Sequence, residues 1–355
     1  MTAFDAEPLA PLVSLSVQGF RCFKGLEARP LQAINVIVGR NNAGKTCLLE
    51  AIEVLRDAEP SALARIAMRR EEVEVENENK FSSPVVRPVI HYAFHQGGMR
   101  DPHDRGLVVS SGRPFEITGE VASPDEDQHL SIKATFTLDG ELRGALRWEN
   151  WRGERSYQMD LVDAKSTPFA QRAALFVGSE RPSGASSAHL FGQLSGSNAE
   201  DGVLDALRII EPRVKRIGLG YQPPAVFLGL DDDDARYPLG HFGEGVGRLF
   251  SLAAYLALSA GKTLLIDDID TGLHVSTMRK MWELVFTAAR KFDLQLFATT
   301  HSDDCLRGLA AALVEHPEFH PMVALHRLDL GSPTTTHYDA EEIIRSADAN
   351  LEVRG

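Results

Sequence analysis

Apolar positions along the chain follow three rhythms. Short continuous runs at Asn35–Val38 (NVIV), Thr263–Ile266 (TLLI) and Leu294–Thr300 (LQLFATT) predict strands buried on both faces, as in a parallel sheet. Recurrence every three or four positions predicts helices: Leu48, Leu49, Ile52 and Leu55 share one face, and Leu249, Phe250, Ala253, Leu256 and Ala257 another. Helices are also expected over 203–210 and 276–290, with a surface helix from Ser61 fading into an acidic loop near Lys80. VSLSV and CFKGLEA form an edge hairpin, VKRIGLG and AVFLGL a strand pair, and the Gly/Ser-rich stretch 183–197 reads as a loop. After His301 come one further helix and a strand pair around MVALHRL and THYDA.

The third rhythm has period two and occupies roughly Val85 to Leu161. Leu130, Ile132, Ala134, Phe136 and Leu138 alternate with polar neighbours, then Asp139-Gly140 turns into Leu142, Leu146 and Trp148. This antiparallel meander interrupts an α/β core. The expected division is 1–58 (first part of the core), 59–170 (helical and β insertion), 171–330 (second part) and 331–355 (strand and helix tail).

Composition narrows the function classes. A hydrophobic fraction of 43% with 25% charged residues is ordinary for a soluble globular protein. No positively charged leader and no apolar stretch of membrane-spanning length are visible, so a cytoplasmic protein with no membrane partner is expected. The three cysteines, Cys22, Cys47 and Cys305, lack the spacing of a zinc site or disulfide framework. A net charge of −13 argues against a protein that coats DNA. Arg65, Arg69 and Arg70, or Arg213, Lys215 and Arg216, could still form a local nucleic-acid patch, and Asp231–Asp234 reads as a solvated turn.

The chemistry concentrates at strand ends. Gly39–Thr46 (GRNNAGKT), between a strand and a helix, meets the requirements of a phosphate-binding loop. Backbone N–H groups and the helix N-terminus cradle phosphates, Lys45 supplies a point charge, and the Thr46 hydroxyl ligates Mg²⁺. A second Gly-Lys-Thr at 261–263 has Leu256 where the first glycine should stand and is rejected. Gly243 and Gly245 open a helix and hence a second anion site, and Asp267-Asp268 end a buried strand where a nucleotide's Mg²⁺ is held. The bland alternatives are that these aspartates cap the next segment, that His301 belongs to an ordinary helix turn with Asp303 and Asp304, and that His274 fills a corner rather than facing an interface.

The order of phosphate loop, GEG, acid-ended strand, GLH and TTHS resembles the ABC-type ATPase heads of SMC and RecF proteins, and more closely the OLD-like AAA ATPases of bacterial defence systems. The resemblance covers about 13–57 and 172–330. It implies an α/β ABC-type phosphate-loop ATPase head with a mixed sheet plus an antiparallel β-rich lobe. It makes Gly39, Arg40, Asn41, Asn42, Ala43, Gly44, Lys45, Thr46 and Cys47 the ATP-cradling run, and puts Arg21 and Phe23 near the adenine. Asp267 would support Mg²⁺ with Thr46. Gly243, Glu244 and Gly245 would reach the γ-phosphate bound by a second subunit, and His301 would be the switch histidine.

Asp268 stands where the family has a water-activating glutamate, one methylene longer, which implies slow hydrolysis. Phe242 replaces a common serine, leaving that contact to backbone N–H groups. The implied protein is a homodimer around ATP, a sensor or regulatory subunit of a defence-type complex with a separate effector. The segment after His301 is too short for the TOPRIM nuclease that many OLD-like proteins carry. The alternatives are a RecF-type DNA-repair ATPase and a slowly hydrolysing ATP-dependent scaffold. No NKxD-like motif supports a GTPase.

Overall fold

The structure is a computed structural model that describes residues 9–57, 60–76, 85–88, 115–121, 128–138, 142–150, 153–159, 172–179, 183–195, 199–222, 224–231 and 234–348. The chain begins with β1 (Leu12–Phe20), β2 (Phe23–Ala28) and β3 (Ile34–Gly39), then α1 (Lys45–Asp57) and α2 (Pro60–Arg69). Next come β4 (Val73–Glu76), β5 (Val85–Pro88) and the meander β6 (Phe115–Val121), β7 (Gln128–Leu138), β8 (Leu142–Asn150) and β9 (Gly153–Met159). β10 (Ala174–Val177), α3 (Gly184–Gly192), α4 (Ala199–Arg208), β11 (Val214–Tyr221), β12 (Pro224–Leu230) and β13 (Arg236–Pro238) lead to α5 (Glu244–Leu258). The remainder is β14 (Thr263–Ile266), α6 (Met278–Phe292), β15 (Gln295–Thr299), α7 (Asp303–Glu315), β16 (Val323–Leu328), β17 (Thr336–Tyr338) and α8 (Ala340–Asp348).

The central sheet has the order β10-β14-β15-β3-β16-β17, parallel except for β17. Its strands are apolar throughout because both faces are covered. Ile37, Leu265 and Phe297 point to a core built with α1, α2 and the β1/β2 hairpin, whereas Val36, Val38, Leu264, Ile266, Leu296 and Ala298 join the core formed with α5, α6 and α7. The register sets Val177 beside Ile266, Ile266 beside Ala298, and Ile37 beside Thr299. The carboxyl ends of four strands therefore share one edge, the place where open α/β sheets bind ligands.

The expected mixed α/β architecture with a separate antiparallel sheet is present. The meander is not a free-standing insertion, however: β6 pairs with β1, so hairpin and meander make one sheet, β2-β1-β6-β7-β8-β9. Hydrogen bonds thus cross the division expected at 58/59. The Asp139-Gly140 turn lies outside the described residues.

Two local expectations are corrected. The stretch from 183 is no loop, since Ser183 accepts from the Ser186 N–H as an N-cap and α3 buries Ala188, Leu190 and Phe191. The acidic run after α2 contains β4, whose VEVE alternation pairs with β5.

The arginines expected as a candidate nucleic-acid patch are engaged by the acids of α1, with Arg65 half-buried and Arg69 and Arg70 still exposed. α1 carries Glu50, Glu53 and Asp57, all buried or nearly so, and α2 covers them. Arg65 pairs with Glu53 and Asp57, Arg69 with Glu53 at 2.5 Å, and Arg70 with Glu50 at 2.6 Å. Such a network favours one arrangement of the two helices, and removing a single partner costs roughly 3–5 kcal/mol because it strands the other charge. Of the second candidate group, Arg213 pairs locally with Glu211, while Lys215 and Arg216 stay exposed on β11.

Candidate functional site

The phosphate loop leaves β3 through Gly39, whose φ of 152° brings it so near β16 that an added Cβ would stand 2.5 Å from the Leu328 carbonyl oxygen. Asn42 and Gly44 take positive φ (66° and 100°), the alternation that turns successive N–H groups into one concavity. Arg40, Asn41 and Asn42 are exposed, Ala43 is buried beneath them, and α1 begins at Lys45. Lys45 Nζ bends across the loop to the carbonyls of Gly39 (2.9 Å) and Arg40 (3.2 Å). Burial pulls the Lys45 pKa down, opposed by the carboxylates of Asp268 and Asp267.

β14 delivers the acidic pair to the same edge. Thr46 Oγ1 donates to Asp267 Oδ2 at 2.8 Å, joining groups 221 positions apart in sequence. A hydroxyl and a carboxylate meeting under a loop of N–H groups are the hard oxygen donors that Mg²⁺ takes beside substrate phosphates, so the residues present fit a magnesium nucleotide.

Asp268 adopts the left-handed region, φ 50°, sparsely populated for a non-glycine residue. Its N–H donates to Thr299 Oγ1 (2.8 Å), and that hydroxyl in turn donates to Asp267 Oδ1 (2.6 Å). His301 follows β15 and sets Nδ1 3.2 Å from Asp268 Oδ1. A carboxylate only accepts, so Nδ1 carries the proton. With side chains 29% and 58% exposed, the Asp268–His301 pair faces outward.

The structure bears on each bland alternative in turn; for His301, Asp303 and Asp304 do form the first turn of α7, with His301 just before its N-cap. Asp267 is engaged by Thr46 and Thr299 rather than capping a helix, and Ser302 caps α7 in place of His301. His274 is exposed and accepts from the Ser276 N–H at the next short turn, so it fills no corner.

Gly243, with φ 85°, and Glu244 open α5 as expected, and Gly245 lies 3.5 Å, measured from an added Cβ, from the Gly272 carbonyl oxygen. Gly243 and Glu244 line a cleft of about 460 Å³; Thr46 and Asp267 line an adjoining one of about 850 Å³. Ser179, Ser183 and Arg248 line both. The structure thus gathers Lys45, Thr46, Asp267, Asp268 and His301 at one point, with Gly243 and Glu244 in the neighbouring cleft.

Arg21 and Phe23 sit below this mouth. Arg21 is engaged by Glu50 at 2.7 Å and Glu72 at 2.8 Å, while Phe23 packs beneath Gly44. Neither presents a free face to a base in this arrangement.

Two residues of the site were missed in the sequence. Thr299 links both aspartates, but a threonine ending a strand reads as ordinary β propensity. Buried Arg248 donates to the carbonyls of Gly178 (3.2 Å) and Asp268 (3.3 Å), tying α5 to the acidic strand end. The available signal was one arginine inside an otherwise apolar helix face.

Comparisons with known proteins bear on family and fold. The family described as "AAA domain, putative AbiEii toxin, Type IV TA system" matches residues 96–306, and an "AAA ATPase domain" family matches residues 11–96, which include the phosphate loop. An ATP/GTP phosphatase of Helicobacter pylori (strain ATCC 700392 / 26695) is 21% identical over 334 residues, 86% of this chain and 90% of that protein. The DNA replication and repair protein RecF of Stutzerimonas stutzeri (strain A1501) is 35% identical over 112 residues, covering 30% of this chain and 25% of RecF. Among solved structures, an SMC head bound to the C-terminal winged-helix domain of ScpA aligns with TM-score 0.56 at 15% identity, covering 93% of this chain and 98% of that one. The SMC head with an extended coiled coil bound to the C-terminal domain of ScpA, from Pyrococcus furiosus, has the same TM-score at 11% identity, over 96% and 100% of the chains.

Proposed function

The chain belongs to the AAA domain family matched over residues 96–306, and from that membership we propose that it is an OLD-like ATPase that closes head-to-tail into a homodimer around ATP. The observation that carries the reading is the convergence of Lys45, the Thr46–Asp267 pair and the Asp268–His301 pair at the carboxyl ends of β3, β14 and β15.

In the ATP state Lys45 exchanges the carbonyls of Gly39 and Arg40 for β/γ-phosphate oxygens. Thr46 and Asp267 are the residues that would hold magnesium, which when bound neutralises charge on the phosphate oxygens. Asp268 accepts the proton of the attacking water as the water oxygen bonds to the γ-phosphorus and the bond from that phosphorus to the β–γ bridging oxygen breaks, with ADP as the leaving group. His301, through its Nδ1–H, keeps Asp268 facing that water. Thr299 fixes the relative position of the two carboxylates. Asp268 reaches one methylene less than a glutamate, so turnover is slow.

The exposed His301 beside half-buried Asp268 and the open mouth of the loop support a site completed from outside, by Gly243, Glu244 and Gly245 of a second copy. ATP then acts as a clamp whose hydrolysis releases the dimer. We assign the protein the role of sensor or regulatory subunit in a cytoplasmic, defence-type complex with a separate effector; among the described residues no helix is long and apolar enough to cross a membrane.

Turnover measured against protein concentration tests the shared site. Specific activity should rise with concentration in the dilute range and then level off; turnover independent of concentration would sink the model. The match to RecF favours a second reading, direct action on DNA. A salt-sensitive, ATP-stimulated shift of DNA by the purified protein alone would support it.

A further inference from the structure

Two of the chain's three cysteines lie on elements that pack together beside the phosphate loop. Cys22 is exposed in the tight turn joining β1 to β2, and Cys47 is the third residue of α1, partly exposed. Both elements are firmly seated, since Phe20 and Phe23 on either side of the turn are buried, as are Leu48 and Leu49 next to Cys47. The turn docks on α1 on either side of Cys47: Cys22 Sγ lies against Gly44, three residues before it, and Arg21 pairs with Glu50 at 2.7 Å, three residues after it, which sets Cys47 on the helix face that meets Cys22. Arg70 Nη2 approaches Cys47 Sγ to 3.5 Å, while Glu50 and Arg21 complete the charged surroundings.

The turn also forms the floor of the phosphate cradle. A Cβ added to Gly44 would stand 2.7 Å from Cys22 Sγ and 2.8 Å from Phe23 Cζ, so the loop has no slack on this side. Any movement of Cys22 toward α1 is felt at Gly44. The third cysteine, Cys305, is fully buried in α7 and serves as an internal reference.

We propose that Cys22 and Cys47 form a dithiol site that hydroperoxides convert to a disulfide, and that this bond closes the phosphate loop to nucleotide. One thiol sulfur attacks the peroxide O–O bond, giving a sulfenic acid and, for hydrogen peroxide, one water. The second thiol then attacks the sulfenic sulfur; the S–S bond forms, the S–O bond breaks and a second water leaves. The two thiols lose two electrons and the peroxide gains them. In the bond the sulfurs lie at about 2 Å, closer than any non-bonded contact, so the turn is drawn against α1 and the cradle at Gly44 deforms. A thiol reductant reverses the change. The consequence for nucleotide rests on the reading of residues 39–46 as the ATP site; the bond itself does not.

The test is to treat the full chain with hydrogen peroxide, map its cysteines by mass spectrometry and measure ATP affinity before treatment, after it and after dithiothreitol. The expected map links Cys22 to Cys47 and leaves Cys305 as a thiol. Affinity should fall at least tenfold and return with dithiothreitol, and by reciprocity saturating ATP should slow formation of the link. Cys22→Ser, whatever its starting affinity for ATP, should show the same affinity before and after peroxide. If this variant misfolds, the reversible change in wild type alone gives the same comparison. Absence of the link overturns the proposal whatever the nucleotide result. A linked protein that binds ATP within twofold of the reduced one overturns its regulatory half, whereas a reduced protein that binds no ATP while still forming the link overturns the reading of the loop and that half with it.

Discussion

The chain spells Gly-Lys-Thr twice, and the two copies have opposite fates. Gly44-Lys45-Thr46 follows a strand at the carboxyl edge of the central sheet, where Thr46 meets Asp267 and Lys45 lies across an open loop. Gly261-Lys262-Thr263 precedes a strand at the amino edge. There Thr263 enters β14 by donating its N–H to Ala173, and Lys262 is buried, its pKa lowered by that burial with Asp57 opposing. Residue identity is the same in both; the end of the sheet decides. At the carboxyl edge, loop N–H groups, a helix N-terminus and strand-end carboxylates converge on one point, and the second copy has none of these partners.

The sharpest way to break this contrast is to remove each lysine in turn. Lys45→Ala should lower turnover by about 10³-fold, as expected when a cation on transferring phosphate is lost. Lys262→Met should leave turnover within twofold, with steady-state hydrolysis as the readout; similar losses from both would show that the second copy is not inert. Next in size is Asp268. Asp268→Asn removes the proton acceptor and should cost about 10²-fold in turnover, while Asp268→Glu, restoring the longer reach, should raise turnover above wild type. Turnover of the glutamate variant equal to or below wild type would sink the explanation of slow hydrolysis by side-chain length.

Thr299→Val tests the bridge between the aspartates. Turnover should fall by about tenfold, the low end for residues that orient metal-binding groups, with the magnesium needed for half-maximal rate rising in parallel. A drop in rate without that rise would place Thr299 outside the metal's support.

The smallest effect lies one strand from the loop. Buried His326 in β16 pairs with Ile37 of β3, and burial, with His337 nearby, lowers its pKa from the ordinary 6.5 to about 4. The unfolded chain therefore binds the extra proton more readily. Stability from this group is fully present above pH 6.5 and is lost as pH falls toward 4, by on the order of 3 kcal/mol. Denaturant midpoints taken between pH 7 and pH 4.5 should fall less in His326→Phe than in wild type.

Much of this was legible in the sequence because it rests on local pattern. The phosphate loop, the acid-ended strand and the histidine-ended strand each announce themselves within a dozen residues, and the parallel sheet follows from their uninterrupted apolar runs. What escaped depends on distant partners. That β6 joins β1 is fixed by pairs such as Val17–Ile117, which no local period reveals. α3 was obscured because serines and glycines dilute its few buried residues, although Ser183 is an ordinary N-cap. The arginines of α2 looked free, yet Arg65 and Arg69, four apart, match the stripe of Glu53 and Asp57 on α1. That complementarity was readable only once the two helices were known to be neighbours. Thr299 and Arg248 act through a hydroxyl and through carbonyl contacts, which residue type alone does not announce.

The central claim is that Asn35–Ile52 supplies half of an ATP site and Gly243–Gly245 of another copy the other half. Solution mass by light scattering, without nucleotide and with magnesium ATP, tests it most directly on wild type and Lys45→Ala. The account predicts that ATP takes wild type from 38.9 kDa to twice that mass and leaves Lys45→Ala unchanged. A variant that doubles its mass with ATP as wild type does, or a wild type indifferent to ATP, would contradict it.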